Sequence, residues 1–566
     1  MKIQFVQNVR SIPFSFQTRE KIISQLEKTK YDICIIGGGI SGAGIARDAS
    51  LRRLKTLLVE KSDFAAGTSS KSSKLIHGGF RYLKQYQFGL VREALVERYK
   101  LLHLAPHLVS KLPTIFPIYE ESDDSYWKIK AGMTLYDWLC GFKRIGTHKM
   151  HRGRQLLNLV PELNKTNLAG GAEYFDAKAD DSRLVMATLQ SAVQSGCDAI
   201  SYFRVAGFEK QNGITKVLYG HDEIKGGKYN IRAKVFVNAT GAWGDITRRL
   251  NNEVINPRIR TTKGIHLVVP KNRLNLNYAV MLISTLDGRP LFAVPWREFV
   301  LLGTTDSDFD GDLDLIYSTM EDADYLLDSF NSVFPDIKLT ENDVISSYAG
   351  VRPLVFEEGK STSKISREHE IFESPKNLYN LIGGKLTTYR KMSADLIDII
   401  LKVNEFSVPN RCLTDKFPLY GSEIESYEQN SLELKKTLVE DFSLTEDDAM
   451  YLLSAYGCHV KSLFNYLKDS SQNSESIIRG LPFIWAQLYY AIDYEMTISL
   501  DDFLIRRTHI FSLDWDQGTQ IVGKCADIMG KTLQWNEDEK QKQIEKYLYK
   551  VDLSRKFRRI KKISRN

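Results

Sequence analysis

No apolar run in these 566 residues approaches the roughly 18 needed to cross a bilayer; the nearest, Phe483 to Ile492, is too short, which argues against a membrane-spanning chain. The six cysteines, Cys34, Cys140, Cys197, Cys412, Cys458 and Cys525, lie dozens of residues apart. That spacing holds neither a CxxC redox pair nor a zinc-finger pattern, and it reads as buried thiols in a reducing compartment. Internal repeats and low-complexity tracts are lacking. The first nineteen residues contain no acid and carry Lys2, Arg10 and Arg19, yet they have no continuous apolar stretch, so a secretory signal is not expected and only a weak organelle-targeting pattern remains. The net charge of +7 is confined to one place: the last twelve residues hold seven basic side chains and no acidic one, leaving the rest of the chain formally neutral. A nucleic-acid-binding body is therefore not supported. What remains is an ordinary globular composition, 43% hydrophobic and 26% charged. At roughly 100–200 residues per domain, the length suits about three domains or one large enzyme with an appendage.

The first strong pattern is Tyr31 to Ile36, an apolar run rich in β-branched residues, followed by Gly37-Gly38-Gly39-Ile40-Ser41-Gly42 and a helix-compatible segment. A second apolar run, Lys55 to Glu60, ends in an acid. Strand, glycine turn, helix, strand and acid in this order predict a βαβ dinucleotide unit. Gly37 permits the tight turn, Gly39 lets a pyrophosphate approach the backbone, and Gly42 lets helix and strand pack closely; Gly38 and Ser41 complete the phosphate-facing turn. Glu60 follows at the end of the second strand, where it can accept from ribose hydroxyls. Another apolar strand, Val235 to Val237, stops at a small-residue turn containing Ala239 and Gly241, as needed where backbone passes close to a cofactor. Only one fingerprint occurs, so no second site for a nicotinamide nucleotide is evident, which favours a flavin reduced directly by substrate.

The runs Ile265 to Pro270, Leu291 to Pro295 and Phe299 to Gly303 predict an antiparallel sheet inserted into this unit. From about Val408 the pattern changes: Pro409 and Pro418 bracket a linker, and Ser431 to Leu467 and Pro482 to Met496 favour amphipathic helices. Asp306, Asp308, Asp310 and Gly311 imitate half of a calcium loop, but Tyr317 stands where the bidentate glutamate belongs, so an acidic turn without metal is expected.

With Gly37 to Gly42 read together with Thr68 to Leu83 (TSSKSSKLIHGGFRYL), the chain resembles the FAD-dependent glycerol-3-phosphate dehydrogenases. Lys263 to His266, Gly303 to Asp306, Gly350 to Leu354 and Gly383 to Arg390 resemble that family's later blocks in the same order, and Asp501 to Thr508 its C-terminal domain. The resemblance implies an α/β fold: a glutathione-reductase-type FAD-binding Rossmann domain, an inserted mixed or antiparallel substrate domain and an all-helical C-terminal domain. The expected boundaries are an extension at 1–30, the FAD-binding domain at 31–407 with its insert mainly at 110–175 and 260–345, helices at 408–552, and a tail at 553–566.

It also implies oxidation of sn-glycerol 3-phosphate to dihydroxyacetone phosphate, with hydride passing to FAD and electrons continuing to membrane quinone. A phosphate dianion is best matched by planar guanidinium forks, so Arg81, Arg352 and Arg367 are candidate clamps, with at least two expected to act. Tyr82 and Lys385 join them in the substrate-binding set. His266 opens the strand IHLVV and is the preferred partner of the substrate hydroxyl, with Arg352 stabilising charge; a structural histidine is the competing reading. Lys385 and Thr387 precede a predicted helix whose N-terminus would stabilise reduced flavin, with Leu386 between them. Thr68, Ser69, Ser70, Lys74, Leu75, His77, Val205, Ala239 and Gly241 are carried over as cofactor contacts.

In the tail, Leu553, Phe557 and Ile560 recur at helical spacing among Arg555, Lys556, Arg558, Arg559, Lys561, Lys562 and Arg565. As a helix this is a basic amphipathic segment suited to anionic lipid, which predicts a cytoplasmic protein peripherally bound to the membrane. A solvated terminus is the alternative, and a homodimer is compatible with the resemblance. Two other functions stay open: a glycerol-phosphate oxidase using oxygen and releasing peroxide, and a catalytically silent flavin-binding module.

Overall fold

A computed structural model describes residues 12–121, 124–251, 255–356, 369–423 and 427–558. The first sheet has eight strands, six of them in the order His369–Glu373, Leu378–Gly383, Lys228–Asn238, Lys30–Ile36, Thr56–Val59 and Asp198–Ile200. The central pairings, Ile33 with Val235 and with Thr56, are parallel. Both faces of these strands are covered, which is why they read as continuous apolar runs rather than alternating ones. The fingerprint helix, Ile40–Leu51, buries Gly42, Ala43, Gly44, Ala46 and Ala49. Their small side chains let Asp181–Gln194 and Tyr389–Val403 pack against it. A Cβ on Gly44 would lie 2.5 Å from the Ser393 hydroxyl and 2.8 Å from the Tyr389 ring.

The second sheet has ten strands and is antiparallel except where Ala279–Ile283 runs parallel to Val109–Tyr119. A long antiparallel pairing joins Ile259–Pro270 to Ser346–Val355. One face carries the helix Met320–Val333 and a core containing Leu267, Val269, Leu326 and Phe330. Leu112, Val268, Val294 and Leu301 instead share a core with the C-terminal helices. Those helices, from Tyr427–Phe442 to Glu537–Ser554, contain no strand.

Buried charge ties the helical region to the nucleotide unit. Asp63 receives a bidentate fork from Arg507 at 2.8 Å on each oxygen, and also a bond from Arg506. Arg183 pairs with Glu495 at 2.7 Å, and the Tyr202 hydroxyl donates to Asp502 at 2.6 Å. Breaking one member of such a buried pair costs on the order of 3–5 kcal/mol, so this network makes the two regions interdependent.

The chain end departs from the expected lipid-facing stripe. Phe557 is 1% exposed and belongs to the core under the second sheet. The Ser554 carbonyl accepts from Ser347, and Arg558 donates to the carbonyls of Val344 and Ile345 at 2.9 and 3.1 Å. Helical spacing of apolar residues signals a buried face, and here protein rather than lipid buries it. Ile560 and the basic residues from Arg559 onward lie outside the described residues.

Candidate active site

A cavity of about 1030 Å³ runs from the fingerprint turn to the face of the second sheet that carries His266 and Arg352. Ligand cavities usually hold about 300–1,000 Å³, so this one accommodates a dinucleotide and a small substrate together. At its nucleotide end, Gly37 has φ +111°, and a Cβ there would lie 2.6 Å from the Ala239 carbonyl. A Cβ on Gly42 would lie 1.8 Å from the Gly37 carbonyl. The backbone is thus packed as tightly as the fingerprint requires. Gly39 and Ser41 open onto the cavity at the start of a helix whose N-cap has no side-chain bond, a site suited to a pyrophosphate.

The carboxylate of Glu60 accepts from the backbone of Gly38 at 2.6 Å and of Ser62 at 2.9 Å while lining the cavity. Burial raises its pKa. Two fixed donors orient it for a ribose hydroxyl. The predicted hydroxyl cluster is partly committed to protein. Ser69 accepts from the Ile40 amide at 3.0 Å, and Thr68 gives its hydrogen to the Val351 carbonyl at 2.6 Å. Each keeps acceptor capacity toward the cavity; Ser70 lines it too, as do Val205, Ala239 and Gly241.

The flavin-side segments meet from opposite directions. Leu75 and His77 line one wall, and Lys385, Leu386 and Thr387 the other, with the Thr387 hydroxyl donating to the His77 carbonyl at 3.4 Å. Gly383 and Gly384 have φ +73° and +87°, which turns the chain from the strand Leu378–Gly383 into the helix Tyr389–Val403. The Lys385 ammonium lies 4.0 Å from the buried Tyr82 ring. Lys74 also lines the cavity, with its ammonium bonded to Asp181 at 2.5 Å and lying over Trp296, because burial demands a counter-charge.

The substrate end follows from strand register. Thr262, Gly264 and His266 stand opposite Arg352, Gly350 and Tyr348, and alternate residues of a strand share a face. His266 and Arg352 therefore face the same way with two glycines between them, forming a groove floor. A Cβ on Gly264 would lie 2.4 Å from the Arg352 guanidinium, so only glycine leaves it room. The His266 ring stacks on Tyr348 at 4.8 Å, and its Nε2 is 2.8 Å from the Ser73 hydroxyl. Burial pushes its pKa down to about 3, helped by the charges of Arg352 and Lys74. The imidazole is thereby held in its neutral form in the empty groove, with a ring nitrogen available as an acceptor. Its Nδ1 has no hydrogen-bond partner among the described residues.

Arg352 donates to Asp306 at 3.0 Å, to the Thr305 carbonyl at 3.1 Å and to the Thr304 hydroxyl at 2.8 Å. In the acidic turn, Asp306 serves Arg352, and Asp308 is forked by Arg260 at 2.7 Å. Arg367 lies outside the described residues, as does the side chain of Arg81, whose backbone belongs to the turn Phe80–Gln85.

Sequence reasoning missed Tyr348, Ser73 and Lys71. Tyr348 and Ser73 become visible only once register and loop packing bring them to His266. Lys71 sits in the resembling block TSSKSSK but was passed over for the arginines. It lines the cavity beside Gly350, and burial, reinforced by Lys550 and Arg506, lowers its pKa to about 8. A half-buried ammonium among other cations favours an anion as its neighbour.

Comparison with known proteins agrees with this geometry. Residues 32–386 match the FAD dependent oxidoreductase family, and residues 412–540 match the C-terminal domain of alpha-glycerophosphate oxidase. A glycerol-3-phosphate dehydrogenase of Synechocystis is 37% identical over 540 residues, covering 92% of this chain and 96% of its own. The aerobic glycerol-3-phosphate dehydrogenase of Staphylococcus aureus is 36% identical over 545 residues, covering 94% and 96%. Among solved structures, the glycerol-3-phosphate dehydrogenase of Bacillus halodurans complexed with FAD superposes with a TM-score of 0.81 at 29% identity, covering 97% of this chain and 100% of that one. The L-alpha-glycerophosphate oxidase of Mycoplasma pneumoniae shares the fold at a TM-score of 0.54 and 20% identity, over 69% and 99%. Extent and identity together mean that the chain belongs to the family of FAD-dependent glycerol-3-phosphate dehydrogenases.

Proposed function

We propose that this protein oxidises sn-glycerol 3-phosphate to dihydroxyacetone phosphate. The observation that carries this is a single cavity shared by the dinucleotide fingerprint and the face bearing His266 and Arg352. FAD, when held there, would supply the acceptor for the hydride lost from carbon 2. His266 takes the hydroxyl proton. Its low pKa in the empty groove rises when a phosphate dianion offsets the neighbouring cations, so substrate strengthens its own base. Arg352, held by Asp306 and Thr304, stabilises the developing carbonyl oxygen, and Lys71 and Lys385 provide charge for the phosphate, with Arg81, Tyr82 and Arg367 as further candidates. Gly37, Gly38, Gly39, Ser41 and Gly42 take the pyrophosphate and Glu60 the ribose; Leu75, His77, Leu386 and Thr387 enclose the ring system. Reduction of the bound flavin by sn-glycerol 3-phosphate without oxygen tests the assignment, and peroxide release during aerobic turnover separates an oxidase from a quinone-linked enzyme.

The electron acceptor in this reading is membrane quinone, reached from the surface of the cytoplasmic membrane. No helix of the described residues is long and apolar enough to cross a bilayer. With Phe557 buried, support for membrane contact comes from the helix Tyr126–Cys140 rather than the tail. Trp127 and Trp138, 65% and 73% exposed, share its outer face, and the fully exposed Phe142 follows. Lys128 and Lys130 flank Trp127, giving the aromatic and basic mixture that interfacial helices use. The buried face of this helix packs Tyr136 on Phe80, which lines the cavity, so a lipid-dissolved acceptor would dock one layer away from the flavin.

A further inference from the structure

Outside the cavity, three side chains with metal-ligating donors converge where the linker meets the C-terminal helices. Cys458 and His459 are 0% exposed and Glu423 is 9% exposed, and one donor atom of each lies within 4.8 Å of the other two. Glu423 Oε1 is 3.3 Å from His459 Nε2, and Glu423 Oε2 is 3.6 Å from Cys458 Sγ. Around a tetrahedral zinc ion, bonds of ~2.0–2.1 Å to nitrogen and oxygen and ~2.3 Å to sulfur separate N from O by about 3.3 Å and S from O by about 3.5 Å. The His459–Glu423 and Cys458–Glu423 separations match those values, each through a different carboxylate oxygen.

The shell around them is fixed. The Gly421 amide donates to Glu423 Oε2 at 2.6 Å, and the Cys458 amide donates to the Gly421 carbonyl at 2.9 Å. The Tyr420 ring stacks on His459 with centroids 3.6 Å apart and planes within 4°. Gly457, at φ +56°, passes so close that a Cβ would lie 1.9 Å from the Gly421 carbonyl. Such partners orient ligands before an ion arrives. None of the three ligands lines the cavity.

We propose that Glu423, Cys458 and His459 form a structural site for a zinc-type divalent cation that clamps the linker to the C-terminal helices. The mixed sulfur, nitrogen and oxygen donors suit a borderline ion, whereas magnesium and calcium take oxygen ligands. Binding forms the metal–sulfur bond as the S–H bond breaks, and the proton leaves to buffer. A water completes the tetrahedron.

The test uses the FAD-loaded full chain, stripped with a chelator and titrated with cobalt(II), alongside metal analysis before stripping. The site predicts tetrahedral cobalt bands to the red of flavin absorption, lost in Cys458→Ser and weakened in His459→Gln, with flavin absorbance reporting that each variant folds. Near-stoichiometric zinc in the protein as purified would support it further. Absence of the cobalt bands in the unsubstituted protein, or their persistence in Cys458→Ser, would overturn it and leave the triad a hydrogen-bond cluster.

Discussion

His266 is where residue-scale physics meets the chemistry. Positioned proton acceptors contribute about 10²–10⁴-fold, so His266→Gln should slow flavin reduction by that range while FAD content stays normal. Near-normal reduction would leave the stacked ring a structural one. Lys71 makes a pH-dependent prediction. Its folded pKa of about 8 lies below the ordinary lysine value of 10.5, so the unfolded chain holds more protons between those limits and stability rises with pH across them. Affinity for a phosphate dianion moves the opposite way: as pH rises through 8 the ammonium is lost, and KM for sn-glycerol 3-phosphate should climb. One charge-assisted contact is worth roughly tenfold. The climb should be about that size and should vanish in Lys71→Met, whose KM is already raised at neutral pH. His266 and Arg352 were legible in the sequence because each sits in a short block of a recognised pattern. Tyr348 and Ser73 were not, because nothing local announces which strand will lie opposite His266. The Asp181 carboxylate that holds the Lys74 ammonium was not legible either, because it lies more than a hundred residues away.

At the scale of elements, the βαβ unit was readable throughout, since strand, glycine turn and helix are specified within a few dozen consecutive residues. The inserted sheet was readable as strands but not as an order; joining Ala279–Ile283 to Val109–Tyr119 is a long-range choice that no turn residue encodes. The chain end shows the limit of periodicity most plainly. Leu553 and Phe557 lie on one helical face, and that pattern serves a lipid surface or a protein core equally well. The core under the second sheet claims Phe557, and the final turn is held by Ser347, Val344 and Ile345. Truncating a buried aromatic costs about 3–5 kcal/mol. Phe557→Ala should therefore lower the thermal unfolding midpoint clearly while leaving binding to anionic vesicles unchanged; an unchanged midpoint would return the segment to a surface role.

At the scale of the whole molecule, two sheets back a common cavity and a helical region locks to both through apolar packing and the Asp63–Arg506–Arg507 network. The surplus charge noticed in the sequence is terminal, whereas exposed Trp127 and Trp138 lie on the helix Tyr126–Cys140, whose Tyr136 packs on the cavity-lining Phe80. If that surface meets the bilayer, replacing Trp127 and Trp138 together by serine should reduce vesicle binding and quinone-linked turnover but spare turnover with a soluble dye. Equal loss with both acceptors would point to damage in the cavity instead. The central claim is simpler than any of these and rests on one cavity serving both halves of a reaction. In the absence of oxygen, adding sn-glycerol 3-phosphate to the FAD-loaded protein should bleach the oxidised flavin spectrum and yield dihydroxyacetone phosphate in equal amount; a protein that stays yellow would contradict the account.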